Sequence, residues 1–360
     1  MTAGKRILMP VRTIAEWGGV HEWTTDAARS LIEAGHRVTF VGAGEVFRER
    51  AMRSGAEFEV IDWDHWAQEA DEFDAGAEYD MIFAHAPHAR MFALRLNERL
   101  QVPAYVMLHG AFHDRMYAWH DRVDGLLAAS PSLVHFAHRF GRVPPWKVSM
   151  VPNAVDEAVF DMPMPSLADR LQGGIGRVVT ASRLSSDKVR QIDVTVEVAK
   201  ACARILPDIQ WQIDVYGDGP KKPLFESEYH SKLIDESGIA VEFHGWIAPS
   251  EVPLKMNRAV VGVVAGMTGV RTIAAGALCV GVGARDFVGV QYGQNLRAGI
   301  WSNWGDHGIF RFEPSSVSDD LEWILREGAY EDVARAGRRT LRRTNSQTVA
   351  DEAMLAALQC

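Results

Sequence analysis

The chain alternates short apolar segments with amphipathic helices, and this alternation occurs twice. Arg6 to Pro10 is an apolar segment, Thr24 to Ala34 has one apolar face at helical spacing, and Arg37 to Val41 is apolar again. Strands of this buried kind are typical of a parallel sheet covered by helices. The start of the chain therefore predicts a doubly wound α/β sheet. Further strands of this half are predicted at residues 81–84, 104–108, 125–128 and 147–151.

A segment rich in proline and glycine, residues 161–176, separates the two rounds of alternation. The second round predicts strands at residues 177–181, 211–216, 240–243, 259–264 and 278–282. We therefore predict an N-terminal Rossmann-like domain over 1–160, a linker over 161–176, a second Rossmann-like domain over 177–340 and a C-terminal helix over 341–360. Because ligands of such sheets bind beyond the carboxyl ends of the strands, two of them predict a ligand cleft between the domains.

Charge and cysteine content narrow the classes of function. A formal net charge of -9 argues against a nucleic-acid partner, because a phosphate backbone repels a negatively charged protein. The three cysteines are scattered, which favours a reducing compartment, and no apolar run is long enough to span a bilayer. We expect a cytoplasmic protein without a transmembrane segment, and peripheral membrane contact stays open.

Several motifs stand in a definite order along the first half of the chain. Gly18-Gly19-Val20-His21-Glu22 leads into the first helix, Leu108-His109-Gly110 lies at the end of a predicted strand, and residues 151–156 read Val-Pro-Asn-Ala-Val-Asp. This order resembles glycosyltransferase family 4, and residues 151–156 are similar to an interdomain motif of that family, with Ala154 in place of glycine. The resemblance implies the GT-B fold, in which two Rossmann-like domains face each other across a cleft.

In the first half, the resemblance assigns a site to two glycines and two histidines. Gly18 and Gly19 would let the backbone approach a phosphate at a helix N-terminus, although an ordinary tight turn explains them equally well. His109 matches a histidine that lies beside the reacting sugar in the family, where an imidazole can donate to a hydroxyl or to developing charge. His85 follows a predicted strand on the acceptor side.

In the second half, Thr180 to Lys188 resembles the family's G-R-L-x-x-x-K signature. The resemblance implies that Arg183 and Lys188 bind the donor diphosphate and stabilise the charge it gains on leaving. Trp246 follows a turn that lies near the nucleotide base in the family. It either stacks on the base or packs inside the domain.

One segment departs from the family pattern. Two glutamates that contact the donor sugar and the ribose in the family correspond here to Val263 and Arg271. Arg271 could contact a phosphate, pair with a neighbouring acid or mark an unusual donor. Gly266, Thr268 and Gly269 still form a glycine-bearing loop at a helix start, which suits a diphosphate or a simple packing turn.

The resemblance implies a retaining, metal-independent hexosyltransferase-like enzyme that takes a sugar from a UDP- or GDP-sugar. No cofactor and no metal ligand is expected besides this co-substrate. Two alternatives stay open: a noncatalytic nucleotide-sugar-binding protein, which the missing glutamates suggest, and a sugar-nucleotide epimerase on the same fold.

Overall fold

The computed structural model describes residues 4–13, 17–74, 79–85, 87–112, 114–234, 238–308 and 312–360. The chain divides into two compact units. The first comprises Met1–Pro152 and Ala350–Cys360, and the second comprises Asn153–Val349. Each has its own sheet and hydrophobic core.

The sheet of the first unit has the doubly wound order. Its described strands are β1 (Arg6–Pro10), β2 (Arg37–Gly42), β3 (Glu57–Val60), β4 (Met81–His85), β5 (Ala104–Leu108), β6 (Gly125–Ala128) and β7 (Val148–Met150). They lie in the order β3-β2-β1-β4-β5-β6-β7 and pair in parallel. The strand order reverses between β1 and β4, and the loops at the carboxyl ends of these two strands are where a doubly wound sheet binds its ligand.

Helices connect these strands and cover the sheet. They are α1 (Gly19–Glu33), α2 (Glu45–Arg53), α3 (Trp66–Glu72), α4 (Pro87–Leu100) and α5 (Pro131–Arg139). The apolar side chains of α4 pack with those of β1, β4, β5 and β6 in one buried cluster, which includes Leu8, Ile82, Phe92 and Val106.

The sheet of the second unit repeats the same order over its central strands. Its described strands are β8 (Ile175–Ala181), β9 (Gln210–Tyr216), β10 (Ile239–Gly245), β11 (Val261–Val264), β12 (Leu278–Val282) and β13 (Phe287–Val290). They lie in the order β10-β9-β8-β11-β12-β13, and β13 pairs antiparallel with β12. The order reverses between β8 and β11, so the loops after these two strands mark the ligand edge of this unit.

The remaining helices belong to the second unit, apart from the last one, most of which lies in the first unit. They are α6 (Glu157–Asp161), α7 (Leu167–Arg170), α8 (Arg190–Ile205), α9 (Lys222–Leu233), α10 (Val252–Arg258), α11 (Gly266–Ala274), α12 (Gly293–Ser302), α13 (Val317–Arg326), α14 (Tyr330–Thr344) and α15 (Gln347–Leu358). Among the described residues, no helix is both long enough and apolar enough to cross a bilayer.

A buried arginine ties the segment 161–176 to the second unit. Arg170, the last residue of α7, donates from Nη1 to the carbonyl of Asn257 and, at 2.5 Å, to that of Ala259. Its Nη2 donates to the carbonyl of Gly276 at 2.7 Å. These carbonyls lie at the ends of α10 and α11, where helices leave acceptors unpaired. Arg170 therefore supplies hydrogen-bond donors to the unpaired carbonyl groups at the ends of both helices.

Candidate functional site

The glycine pair of the first unit lies where β1 passes into α1. Gly18 is the residue before the helix, and its backbone is extended, with φ 178°. A Cβ added at Gly18 or Gly19 would meet no atom within 4 Å. Packing inside the described part of the chain therefore does not require glycine at either position, and open space remains beside the start of α1.

The two candidate histidines end neighbouring strands. His85 is the last residue of β4, and His109 follows β5 directly. Their rings are hydrogen-bonded, with His85 Nδ1 3.1 Å from His109 Nε2. Trp23 on α1 packs against both, with ring centroids 5.5 Å from His85 and 5.1 Å from His109. The structure thus brings the two residues together at the ligand edge of this sheet.

The two rings differ in their access to solvent. His85 is completely buried, whereas His109 is partly exposed. Burial, with a smaller effect of His109, lowers the pKa of His85 well below its ordinary value. Its ring is therefore neutral at physiological pH and can touch a ligand only through His109.

A largely buried ion pair holds Asp114, which lies five residues after His109, against α4. Arg90 on α4 lies 3.1 Å from the carboxylate of Asp114, and its guanidinium stacks on Trp119 at 4.3 Å. Burial lowers the pKa of Arg90, and the neighbouring Asp114 partly offsets the effect. Both side chains are largely buried, so the pair holds Asp114 at a fixed position against α4.

In the second unit, backbone contacts hold the loop of Arg183 in place. Leu184 N donates to the carbonyl of Asp218 at 2.9 Å, and Lys221 N donates to that of Leu184 at 2.9 Å. A Cβ at Gly217 would lie 1.9 Å from the carbonyl oxygen of Ser182, so only glycine permits this approach. The Gly-Asp-Gly-Pro turn after β9 is therefore the support of the loop after β8.

Arg183 and Lys188 both lie in this loop, but their surroundings differ. Arg183 is half-exposed and lies 3.8 Å from Asp187, which is also 3.9 Å from Lys188 Nζ. Burial alone would raise the pKa of Asp187, but the hydrogen bond from Ser185 and the charge of Lys188 outweigh it and lower the pKa. The loop thus presents two cations and one acid.

Lys188 has a further partner that no sequence motif indicates. Its side chain is only 14% exposed, and Nζ donates to Asp306 Oδ1. The backbone N–H of Ala284, just after β12, donates to the same oxygen at 2.9 Å. Asp306 thereby joins the loops after β8 and β12 at the carboxyl edge of the sheet.

The glycine-bearing loop after β11 divides into two parts. Gly266, with φ +57°, begins α11, and Thr268 is partly exposed in its first turn. Gly269 instead faces the core, where a Cβ would lie 2.5 Å from the indole of Trp304, so packing alone explains that glycine. Arg271 is half-buried in the same helix, and Val263 is completely buried in β11.

Trp246 follows β10 at the edge of the sheet. Its side chain is 57% exposed, so it belongs to the surface and not to the core. A flat aromatic surface beside the ligand edge is suited to stacking on a planar ring.

Among the described residues, Asp214, Glu242 and His244 form the group whose side chains could hold a metal ion. Asp214 already accepts hydrogen bonds from Arg177 at 2.8 Å and Gln212 at 2.7 Å, and it lies 2.8 Å from His244 Nε2. Protein partners therefore satisfy its carboxylate.

Residues 17–159 match Glycosyltransferase Family 4. The match covers the glycine pair, both histidines and the interdomain motif of residues 151–156. No curated protein matches the chain.

Solved structures resemble the chain over nearly its whole length. The Anabaena protein HepE in complex with UDP and glucose is 15% identical, with a TM-score of 0.73 over 99% of both chains. A glycosyltransferase from Rickettsia africae is 13% identical, with a TM-score of 0.75 over 99% of this chain and 98% of that one. Sucrose-phosphate synthase from Thermosynechococcus elongatus is 13% identical, with a TM-score of 0.68 over 97% of both. These likenesses show the GT-B fold.

Proposed function

We propose that this chain, a glycosyltransferase of the GT-B fold whose residues 17–159 match Glycosyltransferase Family 4, transfers a sugar from a nucleoside-diphosphate donor to an acceptor hydroxyl with retention and without a metal ion. The observation that carries the proposal is the pair of cations, Arg183 and Lys188, in the loop after β8. This loop lies at the strand-order reversal of the second sheet, where a doubly wound fold binds phosphate-bearing ligands.

The chemistry needs positive charge at the donor diphosphate. The bond between the anomeric carbon and the diphosphate oxygen breaks, and its electron pair stays with the diphosphate. The acceptor oxygen bonds to the anomeric carbon on the same face, and its proton passes to the departing diphosphate oxygen. Arg183 and Lys188 stabilise the charge that develops, as fixed cations do in a partly buried site.

The first unit contributes the acceptor side in this proposal. His109 lies near the reacting sugar and donates or accepts a hydrogen bond there, while His85 acts through it as a positioning residue. The open space beside Gly18 and Gly19 supports a close approach of ligand to backbone at the start of α1.

A uridine donor is the first to test. The Anabaena protein HepE forms complexes with UDP and with UDP-glucose, which favours UDP-glucose as the initial probe. The exposed indole of Trp246 provides a surface for the base at the edge of the second sheet. The cytoplasmic location expected from the cysteines stays a prediction.

The decisive variant is Arg183→Ala/Lys188→Ala. We expect it to fold, by circular dichroism, and to lose both donor hydrolysis and transfer. Arg335→Ala is the matched control, because Arg335 is half-exposed on α14 and pairs only with Asp332, at 3.6 Å, in the contacts the structure shows. Unchanged turnover in the double variant would contradict the proposal.

Three further measurements test the mechanism and separate the alternative functions. Excess EDTA should leave transfer unchanged, because the two cations, and not a metal ion, hold the diphosphate; a loss restored by Mg²⁺ or Mn²⁺ would contradict the metal-independent mechanism. NMR of the products distinguishes a transferred sugar from an epimerised nucleotide sugar. Donor binding without any turnover would favour a noncatalytic binding protein.

A further inference from the structure

A carboxylate that no family motif assigns lies against the candidate diphosphate lysine. Asp306 Oδ1 accepts from Lys188 Nζ and from the N–H of Ala284. Its other oxygen, Oδ2, accepts no hydrogen bond in the described part of the chain. A Cβ added at Gly266 would lie 2.9 Å from Oδ2, so this oxygen faces the first residue of α11.

The backbone that delivers Asp306 adopts a rare conformation. Asn303 and Trp304 have φ of 53° each, and Gly305 has φ +87°. Two consecutive non-glycine residues in the left-handed region cost free energy, and such strain persists only where the surroundings impose it. Trp304 is buried, and its indole packs against Gly269. This packing holds the turn in place.

The turn also requires glycine on the neighbouring strand end. A Cβ at Gly283 would lie 2.1 Å from the carbonyl carbon of Gly305 and 2.2 Å from Asp306 N. Arg285 N and Asp286 N both donate to the carbonyl of Gly305, at 3.1 and 3.0 Å. Asp306 is therefore built into the carboxyl edge of the sheet and is not a mobile surface acid.

The position of Asp306 along this edge indicates which part of a donor it would meet. Trp246 follows β10, Lys188 lies in the loop after β8, and Asp306 accepts from Ala284 in the loop after β12. The strand order β10-β9-β8-β11-β12 places Trp246 and Asp306 on opposite sides of Lys188. With the base on the Trp246 side and the diphosphate at Lys188, the transferred sugar lies on the side of Asp306.

We propose that Asp306 is a donor-sugar-binding residue that holds Lys188 through Oδ1 and accepts a sugar hydroxyl through Oδ2. An ionised carboxylate is an acceptor only, and its hydrogen bonds to hydroxyls are among the stronger ones in proteins. Through Oδ2, Asp306 thus contributes affinity for the sugar and not for the nucleotide. This inference rests on the proposed donor.

The test compares a nucleoside diphosphate with its glucose conjugate by calorimetric titration, using UDP with UDP-glucose and GDP with GDP-glucose. In Asp306→Asn, the side-chain oxygen stays with Lys188 and Ala284, so an amide NH₂ replaces Oδ2. We expect the Kd of the glucose conjugate to rise about tenfold, while the Kd of the bare diphosphate stays the same or falls. Asp306→Ala also removes the Oδ1 contact with Lys188, so we expect it to weaken binding of the glucose conjugate more than binding of the bare diphosphate. Asp332→Asn on the exposed face of α14 is the matched control.

Equal changes in both ligands would overturn the inference, because a residue that only shapes the loop or orients Lys188 affects the diphosphate as well. No change in either ligand would overturn it too. A wild-type protein that binds neither pair would contradict the proposed function itself, and the inference with it. Circular dichroism of both variants establishes that the fold is retained.

Discussion

His85 Nδ1 lies 3.1 Å from His109 Nε2, and the ring of His85 is completely buried. Because burial keeps His85 neutral, one of its nitrogens carries the proton and the other does not. Its Nε2 has no partner in the described structure. A buried N–H without an acceptor is costly, so the proton belongs on Nδ1, which donates to His109. His85 thereby sets the tautomer and the orientation of His109.

Replacing His85 should therefore lower the rate through His109. We expect His85→Leu to reduce kcat by about 10- to 100-fold, by analogy with the loss that follows removal of the hydrogen-bond partner of a metal-ligating histidine. KM for the donor should change little. Steady-state kinetics with the donor identified by titration measures both constants.

His85→Asn is the matched control for this effect. Its side-chain amide can place a donor near the position of Nδ1, so we expect it to recover part of the lost kcat. Equal loss in His85→Leu and His85→Asn, with a raised KM in both, would indicate a general packing role for the residue instead.

Gly18→Ala should separate folding from ligand binding. A Cβ at this position meets no protein atom within 4 Å, and the extended backbone is open to any residue. We expect thermal stability to stay close to that of the wild type and KM for the donor to rise about tenfold, since a methyl group would occupy space used by the ligand. Gly238→Ala, which also meets no atom within 4 Å, is the control. Unchanged KM in Gly18→Ala would show that the glycine only forms a turn.

The buried strands were the part of the fold most accessible from sequence. β1, β5, β6 and β12 begin and end at the predicted residues, because strands covered on both faces are continuous apolar runs. β3 was not predicted, because its alternating glutamates lack that signature. β13 was not predicted either: it is apolar, but it has only four residues and pairs antiparallel with β12. The predicted C-terminal helical stretch is broken at Asn345 and Ser346, where Val155 N donates to the carbonyl of Asn345. That contact comes from a distant segment of the chain.

The candidate site residues could also be predicted from the sequence only in part. Proximity of His85 and His109 follows from adjacent parallel strands, because their carboxyl ends meet at one edge of the sheet. Asp306 could not be found in this way. It reaches Lys188 through a left-handed turn whose conformation depends on Gly283, Gly269 and Trp304 packing together, and no local pattern encodes that packing.

The first unit should lose stability as the pH falls below neutrality. Burial, together with the charge of Arg50, lowers the pKa of His21 from 6.5 to about 4. The unfolded chain therefore binds a proton at a pH where the folded chain does not, so stability is complete above the unfolded pKa and falls toward the folded one. We expect His21 to account for a loss of about 2 kcal/mol between pH 7 and pH 5.

His21→Phe tests this assignment, because it keeps an aromatic ring against Trp17 and removes the titrating group. Urea unfolding at the two pH values should show a smaller pH effect in the variant than in the wild type. The same difference in both proteins would assign the pH dependence to other groups, such as buried His85.

Arg170→Leu should destabilise the second unit without touching the candidate donor site. The guanidinium is the partner of the carbonyls of Asn257, Ala259 and Gly276, and leucine would leave these acceptors unpaired. Each buried acceptor without a partner costs about 1–3 kcal/mol, so we expect a loss of about 3 kcal/mol or more in the free energy of unfolding by urea. Arg170→Lys should restore part of it, since an ammonium can reach some of these oxygens, and Arg335→Ala should change little. A neutral Arg170→Leu would mean that the helix ends find other donors.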